Sequence, residues 1–236
     1  MLVFDKIRNE KPQILSKVKV IKGDISMDNL GLDAHEELEL IKNVNLIFHM
    51  AANVRFDQPL KSATSMNVHG TYLVLKLAEK LQRLEVFTHV STSYCHCNEE
   101  YLDERYYPAT ENPYGVMEMS KLMSDEVLNL ITPKLLGKLP NTYAYTKGLT
   151  EDLVHSFRNK FSIVIARPSI VTASWKEPLP GFVEGINGPT GLMIAGGKGV
   201  VRSMYCFEEN LCESIPVDIV INCLITLPYK KSLTEN

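Results

Sequence analysis

A chain of 236 residues, 45% hydrophobic and 22% charged, has the makings of one large soluble globular domain, or of one and a half ordinary ones. Its formal net charge of −3 offers no global basic footprint for nucleic acid, and no run reaches the roughly 18 apolar residues that span a bilayer. The amino end lacks the apolar core and small-residue cleavage site of a secretory signal, and an odd count of five cysteines suits a reducing, intracellular compartment.

In chain order, strand and helix patterns alternate, which argues for an α/β fold of βαβ units on a parallel sheet. Val18-Lys-Val-Ile21 is a short strand candidate closed by Gly23-Asp24, where a carboxylate either meets an adenine amino group or makes an ordinary turn. Asn45-Leu-Ile-Phe-His49 is almost continuously apolar and reads as a strand buried on both faces. It leads into Ala51-Ala52, two small residues that either admit a cofactor to the sheet edge or pack under a helix. Residues 66–84 read as a helix with Leu73, Val74, Leu77, Ala78 and Leu81 on one stripe. At its start, Asn67 either holds a water linking a lysine to solvent or caps the helix.

Val86-Phe-Thr-His-Val90 is the next strand, and it runs into Ser91-Thr92-Ser93. Hydroxyls at the carboxyl end of a parallel strand sit in the crevice where such sheets bind ligands. One there can polarise a carbonyl as charge develops on its oxygen, or cap a helix. In Cys95-His96-Cys97, positions one apart face opposite sides of a strand, and no second pair at structural-zinc spacing follows. These read as unliganded thiols, with no metal expected. Residues 121–131 look helical, and Pro133 and Pro140 bracket a connection into a helix from Tyr143 to Phe157. Ser162-Ile-Val-Ile-Ala166 is the fourth strand. Beyond Trp175 the sequence turns Pro- and Gly-rich, so a boundary is placed near Ala173, dividing residues 1–173 from 174–236. The glycines at 188–191 and 196–199 follow no clear strand and read as loops or a substrate-side lid, not a phosphate cradle. No strand with a glycine-rich turn precedes Val18, so the chain reads as a nucleotide-binding domain without its first strand–helix–strand unit.

The chemistry concentrates in Tyr143-Ala-Tyr-Thr-Lys147. On a helix, positions i and i+4 share a face, so a phenol and an ammonium lie side by side. A neighbouring cation favours phenolate, lowering the phenol from its reference pKa of about 10 and fitting it to pass a proton to a substrate oxygen.

His49-x-x-Ala52, Asn67-Val-x-Gly-Thr71, Val90-Ser-Thr92, Tyr143-x-x-x-Lys147, Arg167-Pro-Ser-Ile170 and Pro216-Val-Asp218 together resemble the extended short-chain dehydrogenase/reductase superfamily. Within it, Val54-Arg-Phe-Asp-Gln-Pro-Leu60, Ile131-Thr-Pro-Lys-Leu-Leu136, Pro140-Asn-Thr-Tyr143 and Ser174-Trp-Lys-Glu-Pro178 are similar to alcohol-forming fatty acyl-CoA reductases. The resemblance implies a Rossmann-type, doubly wound parallel sheet with a smaller substrate-facing region. It also implies NADPH and two hydride transfers that take a long-chain acyl-CoA through a bound aldehyde to a primary fatty alcohol. Tyr143 would be the proton donor, Lys147 would lower its pKa and touch the nicotinamide ribose, and Thr92, or else Ser93, would orient the carbonyl. Asn67 would support a proton relay. Ala51 and Ala52 would line the cofactor groove, Asp24 and Ile25 would touch the adenine, and Pro168, Ser169 and Ile170 would join the cofactor site. The family sits at the peroxisomal or endoplasmic reticulum membrane, so membrane association is implied for a full-length parent.

The departures suggest a fragment, a truncated isoform or an incomplete gene model. The family's Thr-Gly-x-x-Gly-x-x-Gly loop is missing, the chain stops before the family's carboxyl-terminal region, Phe182 replaces a usual Trp, and Gly148 replaces a usual Ala at about 1 kcal/mol of helix propensity. Two other readings stay open: a sugar-nucleotide epimerase or dehydratase of the same superfamily, and a non-catalytic binding remnant.

Overall fold

The computed structural model describes residues 4–186 and 188–234; residues 1–3 of the amino end and Asn187 of the Pro- and Gly-rich stretch lie outside them. In chain order the elements are α1 (Asp5–Glu10), α2 (Ala34–Asn43), β1 (Leu46–His49), α3 (Leu60–Ala63), α4 (Gly70–Ala78), β2 (Val86–Val90) and α5 (Pro113–Leu122). There follow α6 (Asp125–Leu136), α7 (Thr142–Ser156), β3 (Ile163–Ala166), β4 (Ile170–Thr172), α8 (Pro189–Gly197), β5 (Ser214–Pro216) and α9 (Val217–Thr234). The described residues form two compact units, residues 21–167 with 226–234, and residues 4–20 with 168–186 and 188–225.

The first unit is built on a parallel sheet in the order β1-β2-β3. His49 stands beside His89, and Val90 beside Ala166, so the carboxyl ends of all three strands open on one edge. Helices make both crossovers, which is the α/β, Rossmann-type arrangement that the alternation predicts. The central strand β2 is buried along most of its length. α7 is capped by Asn141, whose side-chain oxygen accepts the Ala144 N–H at 2.9 Å. It is buried nearly all round, with Tyr145, Leu149, Leu153 and Val154 in the core beside Phe87 and Leu75.

Several local expectations change. Residues 18–21 are not a strand among the described residues, and Val20 is 88% exposed. A strand exists only by pairing, and no described strand runs alongside it. β1 is not buried on both faces: Leu46 and Phe48 are exposed, and among the described residues β1 pairs with β2 alone, at the edge of the sheet. The helix expected at 66–84 begins at Leu60 and contains a wider π turn, Thr64–His69, before α4. That turn rotates the buried stripe to Val68, Thr71, Leu75 and Ala78, leaving Leu73, Val74 and Leu77 half-buried. The segment 121–131 is split, since Ser124 caps a new helix that carries Pro133 inside it and ends at Gly137. Finally, residues 189–197 are the helix α8, not a loop, with Pro189 at its first turn.

In the second unit β4 pairs parallel with β5. Asp218, at the start of α9, gathers the backbone N–H groups of Trp175, Lys176 and Glu177 at 2.9, 2.8 and 3.1 Å. No described helix is long and apolar enough to cross a membrane.

Gly70 is where the chain before β1 meets the helix after it. A Cβ there would lie 2.5 Å from Ile25 Cγ1 and 3.0 Å from the Ile25 carbonyl oxygen. Replacing a helical Gly by Ala normally gains about 1 kcal/mol, whereas overpacking costs about 1–3 kcal/mol. Because one obstacle is backbone, overpacking should win, and Gly70→Ala is expected to unfold at lower urea than the native chain. An unchanged or higher midpoint would show that Ile25 does not pack there.

Candidate active site

The tyrosine helix and the end of β2 meet at the carboxyl edge of the sheet. Lys147 is 97% buried and anchors this meeting: its Nζ donates to the Val90 carbonyl at 2.7 Å and lies 3.5 Å from His89 Nε2. Facing an ammonium, that nitrogen of His89 must be the acceptor, which puts the ring proton on Nδ1. Burial pushes Lys147 down to about 8. Two residues past Val90, Thr92 caps the short helical turn Ser93–His96 by accepting the Tyr94 N–H at 3.3 Å. Cap and candidate carbonyl-orienting group are therefore one residue. Ser93 Oγ is buried with no partner among the described residues.

Tyr143 is half-buried, with its ring 5.6 Å from that of the exposed Phe56. Its phenol corrects the sequence argument: the pKa is pushed up, not down. Burial is the main cause, and the interaction with the Thr92 side chain offsets only part of it. Lys147 does not act as the acidifying neighbour because its ammonium turns onto the β2 carbonyl instead.

Asn67 lies in the π turn, not at a helix start, so it is no cap. Its Oδ1 accepts the Asn53 N–H at 2.7 Å, and its Nδ2 donates to Asn53 O at 3.1 Å and to Thr146 Oγ1 at 3.0 Å. Its own carbonyl takes the hydroxyls of Thr71 and Thr150 at 2.7 and 3.1 Å. Asn67 thus ties α7 to the loop after β1. Ala51, at the start of that loop, is exposed, and Ala52 is half-buried. Asp24 is exposed, its Oδ1 held by Ser26 N–H and Oγ at 2.8 and 2.6 Å, while Ile25 packs over Gly70. Pro168, Ser169 and Ile170 are half-buried and belong to the other unit.

The sequence reading missed a buried cluster. Cys95 and His96 lie in a short helical turn, not a strand, so the opposite-faces argument fails. Both reach Glu151 on α7, at 3.2 Å from Sγ and 3.1 Å from Nε2. The three donor atoms lie within 4.8 Å of one another, the spacing of a possible ion site. However, Arg167 already binds both carboxylate oxygens, with Nε at 2.9 Å and Nη2 at 2.7 Å, and its guanidinium stands where a cation's charge would go. The signal in the sequence was Glu151 itself, a carboxylate one turn beyond Lys147 on a face the helix buries.

The residues present fit the nicotinamide–ribose half of a dinucleotide. The Thr92 hydroxyl meets the Tyr143 phenol, the Lys147 ammonium sits on the carboxyl end of β2 two residues before Thr92, Ser93 Oγ is buried with no partner among the described residues, and the small residues Ala51 and Ala52 follow β1. The profile of an NAD-binding family described as male sterility protein matches residues 2–224. The chain belongs to the male sterility protein family. It is 44% identical over 227 residues to fatty acyl-CoA reductase 1 of Xenopus laevis, covering 96% of this chain and 44% of that protein. To the human fatty acyl-CoA reductase 1 it is 42% identical over 220 residues, covering 93% of this chain and 43% of that one. The male sterility chain thus spans less than half the length of these curated relatives. Among solved structures it resembles the terminal R domain from the myxalamid PKS-NRPS pathway, with a TM-score of 0.66, 20% identity, and coverage of 95% of this chain and 50% of that one. The PhqB reductase domain from Penicillium fellutanum gives 0.60 at 17% identity, covering 91% and 48%. These two likenesses bear on the fold.

Burial alone would raise the Glu151 carboxyl, but hydrogen bonds from His96 and Arg167 outweigh it and bring it down to about 2. A depressed carboxyl contributes stability that is complete above its ordinary value of 4.5 and lost as pH falls through about 2. Glu151→Gln leaves Arg167 buried without its charge partner, so it should cost about 3–5 kcal/mol at pH 7. Thermal unfolding from pH 7 to pH 2 should show the gap between native chain and variant closing below pH 4.5; a constant gap would contradict the assignment.

Proposed function

We propose that the protein carries the reducing centre of an NADPH-dependent, alcohol-forming fatty acyl-CoA reductase, with a long-chain acyl-CoA as substrate. One observation carries the reading: Tyr143 and Lys147 lie on a helix whose buried ammonium is bonded to Val90 O, two residues before Thr92. The similarity to the two fatty acyl-CoA reductases supports the substrate class. In this reading residues 1–173 form an NADP-binding Rossmann domain and residues 174–236 a substrate-binding region. Tyr143, Lys147, Thr92 and Asn67 are the catalytic set. Asp24, Ile25, Ala51, Ala52, Pro168, Ser169 and Ile170 line the cofactor path with Tyr143 and Lys147. The parent protein is assigned to the peroxisomal or endoplasmic reticulum membrane.

NADPH would supply a hydride in each of two rounds, converting the thioester to an aldehyde with release of CoA and then the aldehyde to the primary alcohol. Thr92 holds the carbonyl oxygen by donating its hydroxyl proton. In the first round the C–S bond breaks, the carbonyl re-forms as the aldehyde, and the leaving thiolate takes its proton from solvent; in the second Tyr143 delivers a proton to that oxygen as the C=O becomes a C–OH. A phenol whose pKa is raised keeps its proton at neutral pH, so it waits in the form a donor needs. Lys147 keeps a positive charge below about pH 8 beside the strand end where negative charge develops. Asn67 keeps α7 in register with the loop after β1 through its bonds to Asn53 and Thr146.

Tyr143→Phe should lower the second reduction, from aldehyde to alcohol, by about 10²–10⁴-fold while leaving NADPH affinity within a small factor. Fluorescence titration of NADPH and stopped-flow oxidation with a long-chain aldehyde read the two separately. Full turnover in the variant would refute the donor role, and no NADPH binding to the native chain would point to a non-catalytic remnant.

A further inference from the structure

Glu151 is fully buried, two turns beyond Tyr143 and one beyond Lys147, and no chemical step above uses it. An ionised carboxylate only accepts hydrogen bonds, and this one accepts from donors on both sides. From the residue just after β3 come Arg167 Nε and Nη2, the latter also on Arg105 O at 3.0 Å, with Nη1 on Asp103 O at 3.3 Å. From the turn after β2 come Cys95 Sγ and His96 Nε2. Cys95 Sγ also lies 3.0 Å from Thr92 O, so its single S–H proton is shared between the backbone of the cap residue and the carboxylate. The turn is pressed close as well: a Cβ on Gly148 would lie 3.3 Å from Cys95 O, so the glycine that departs from the family's usual alanine is where α7 and this turn touch. An ion pair meant only to neutralise charge would need Arg167 alone. The further donors, Ser91, Cys95 and His96, belong to the segment that presents Thr92.

We propose that Glu151 is a positioning residue: through Cys95 and His96 it latches the Thr92 turn onto α7 and so sets how Thr92 meets Tyr143. The inference rests on the reading of Thr92 and Tyr143 as carbonyl-orienting group and proton donor, but its latch can be tested without substrate. Arg167→Met with Glu151→Leu replaces the buried pair by apolar side chains, a change that often leaves stability intact. It removes the acceptor that holds the turn.

The readout is the titration of Tyr143, followed by NMR of tyrosine ring carbons and assigned by loss of one signal in Tyr143→Phe. Thr92 favours the phenolate, so losing the latch should make Tyr143 titrate at higher pH. Cys95, its other titratable neighbour, keeps its proton up to about 12. Thr92→Val should give a similar rise, and combining it with the apolar pair should add nothing, because both remove the same interaction. In an assay with acyl-CoA, the paired variant should lose about a hundredfold in kcat with the KM for NADPH unchanged. His96→Phe, which keeps the ring against Tyr107 and the ion pair intact, removes one arm of the latch and should give a smaller rise in the same direction should the paired variant fail to fold. An unmoved Tyr143 titration in folded variants, or additive shifts with Thr92→Val, overturns the proposal. A native chain that shows no reductase activity counts against the proposed function and leaves the titration result standing.

Discussion

An ammonium that is 97% buried persists only if its protons find acceptors, and in this chain that demand fixes a helix to a strand end. Lys147 can be satisfied only at the carboxyl edge of β2, where Val90 O and His89 Nε2 wait. Rotating α7 by one residue would carry the amine off these acceptors and leave a charge in the core, so the helix has one allowed register. Tyr143 and Glu151 inherit their positions from it, one turn to either side. The residues most exposed to chemistry are thus placed by a group whose first task is to avoid an unpaired charge.

A second constraint runs behind α7. The π turn at Thr64–His69 adds a residue to one helical turn and holds Asn67 buried within it. Thr71 and Thr150 take up the carbonyl, while Thr146 and Asn53 take up the amide. Threonines are poor helix formers in water. Here their hydroxyls bond carbonyls one turn back, as Thr146 and Thr150 do at 2.8 and 2.6 Å, and give the helix a polar seam that can be buried without loss. The helix interface is therefore specified by hydrogen bonds as much as by the leucine core.

What could be read from the sequence follows from where signals are local. β2 and β3 were visible because an apolar run between turns has few alternatives, and α7 because Asn141 caps it within three residues. The strand at 18–21 could not be judged from its own residues, since β-structure depends on a neighbour that is distant in sequence. The π turn left no periodic mark and shifted the buried stripe by about one residue. Glu151 and Arg167 were hidden for another reason: each alone looks like a solvated charge, and only the return of β3 beside α7 makes them a pair. His96 and Cys95 were misjudged because the turn after β2 is helical, which brings successive side chains toward a common acceptor.

The phenol shows most plainly how far adjacency in sequence falls short of interaction. Residues four apart on a helix have Cβ atoms about 5–6 Å apart, yet long side chains can diverge from there. Lys147 reaches back to β2, while Tyr143 lies toward Phe56 and Thr92, so the ammonium that should have acidified the phenol is committed elsewhere. Burial then acts on the two groups in opposite senses, holding the proton on the phenol and loosening it from the amine. Under the proposed donor role this is favourable: the acid would be kept loaded, and the electrostatic help for a developing charge would come from the strand end, not from the tyrosine's own flank. In that reading the control of proton transfer passes to whatever sets the approach of Thr92, whose side chain favours the phenolate, and the proposed latch assigns that approach to the buried carboxylate one turn past the lysine.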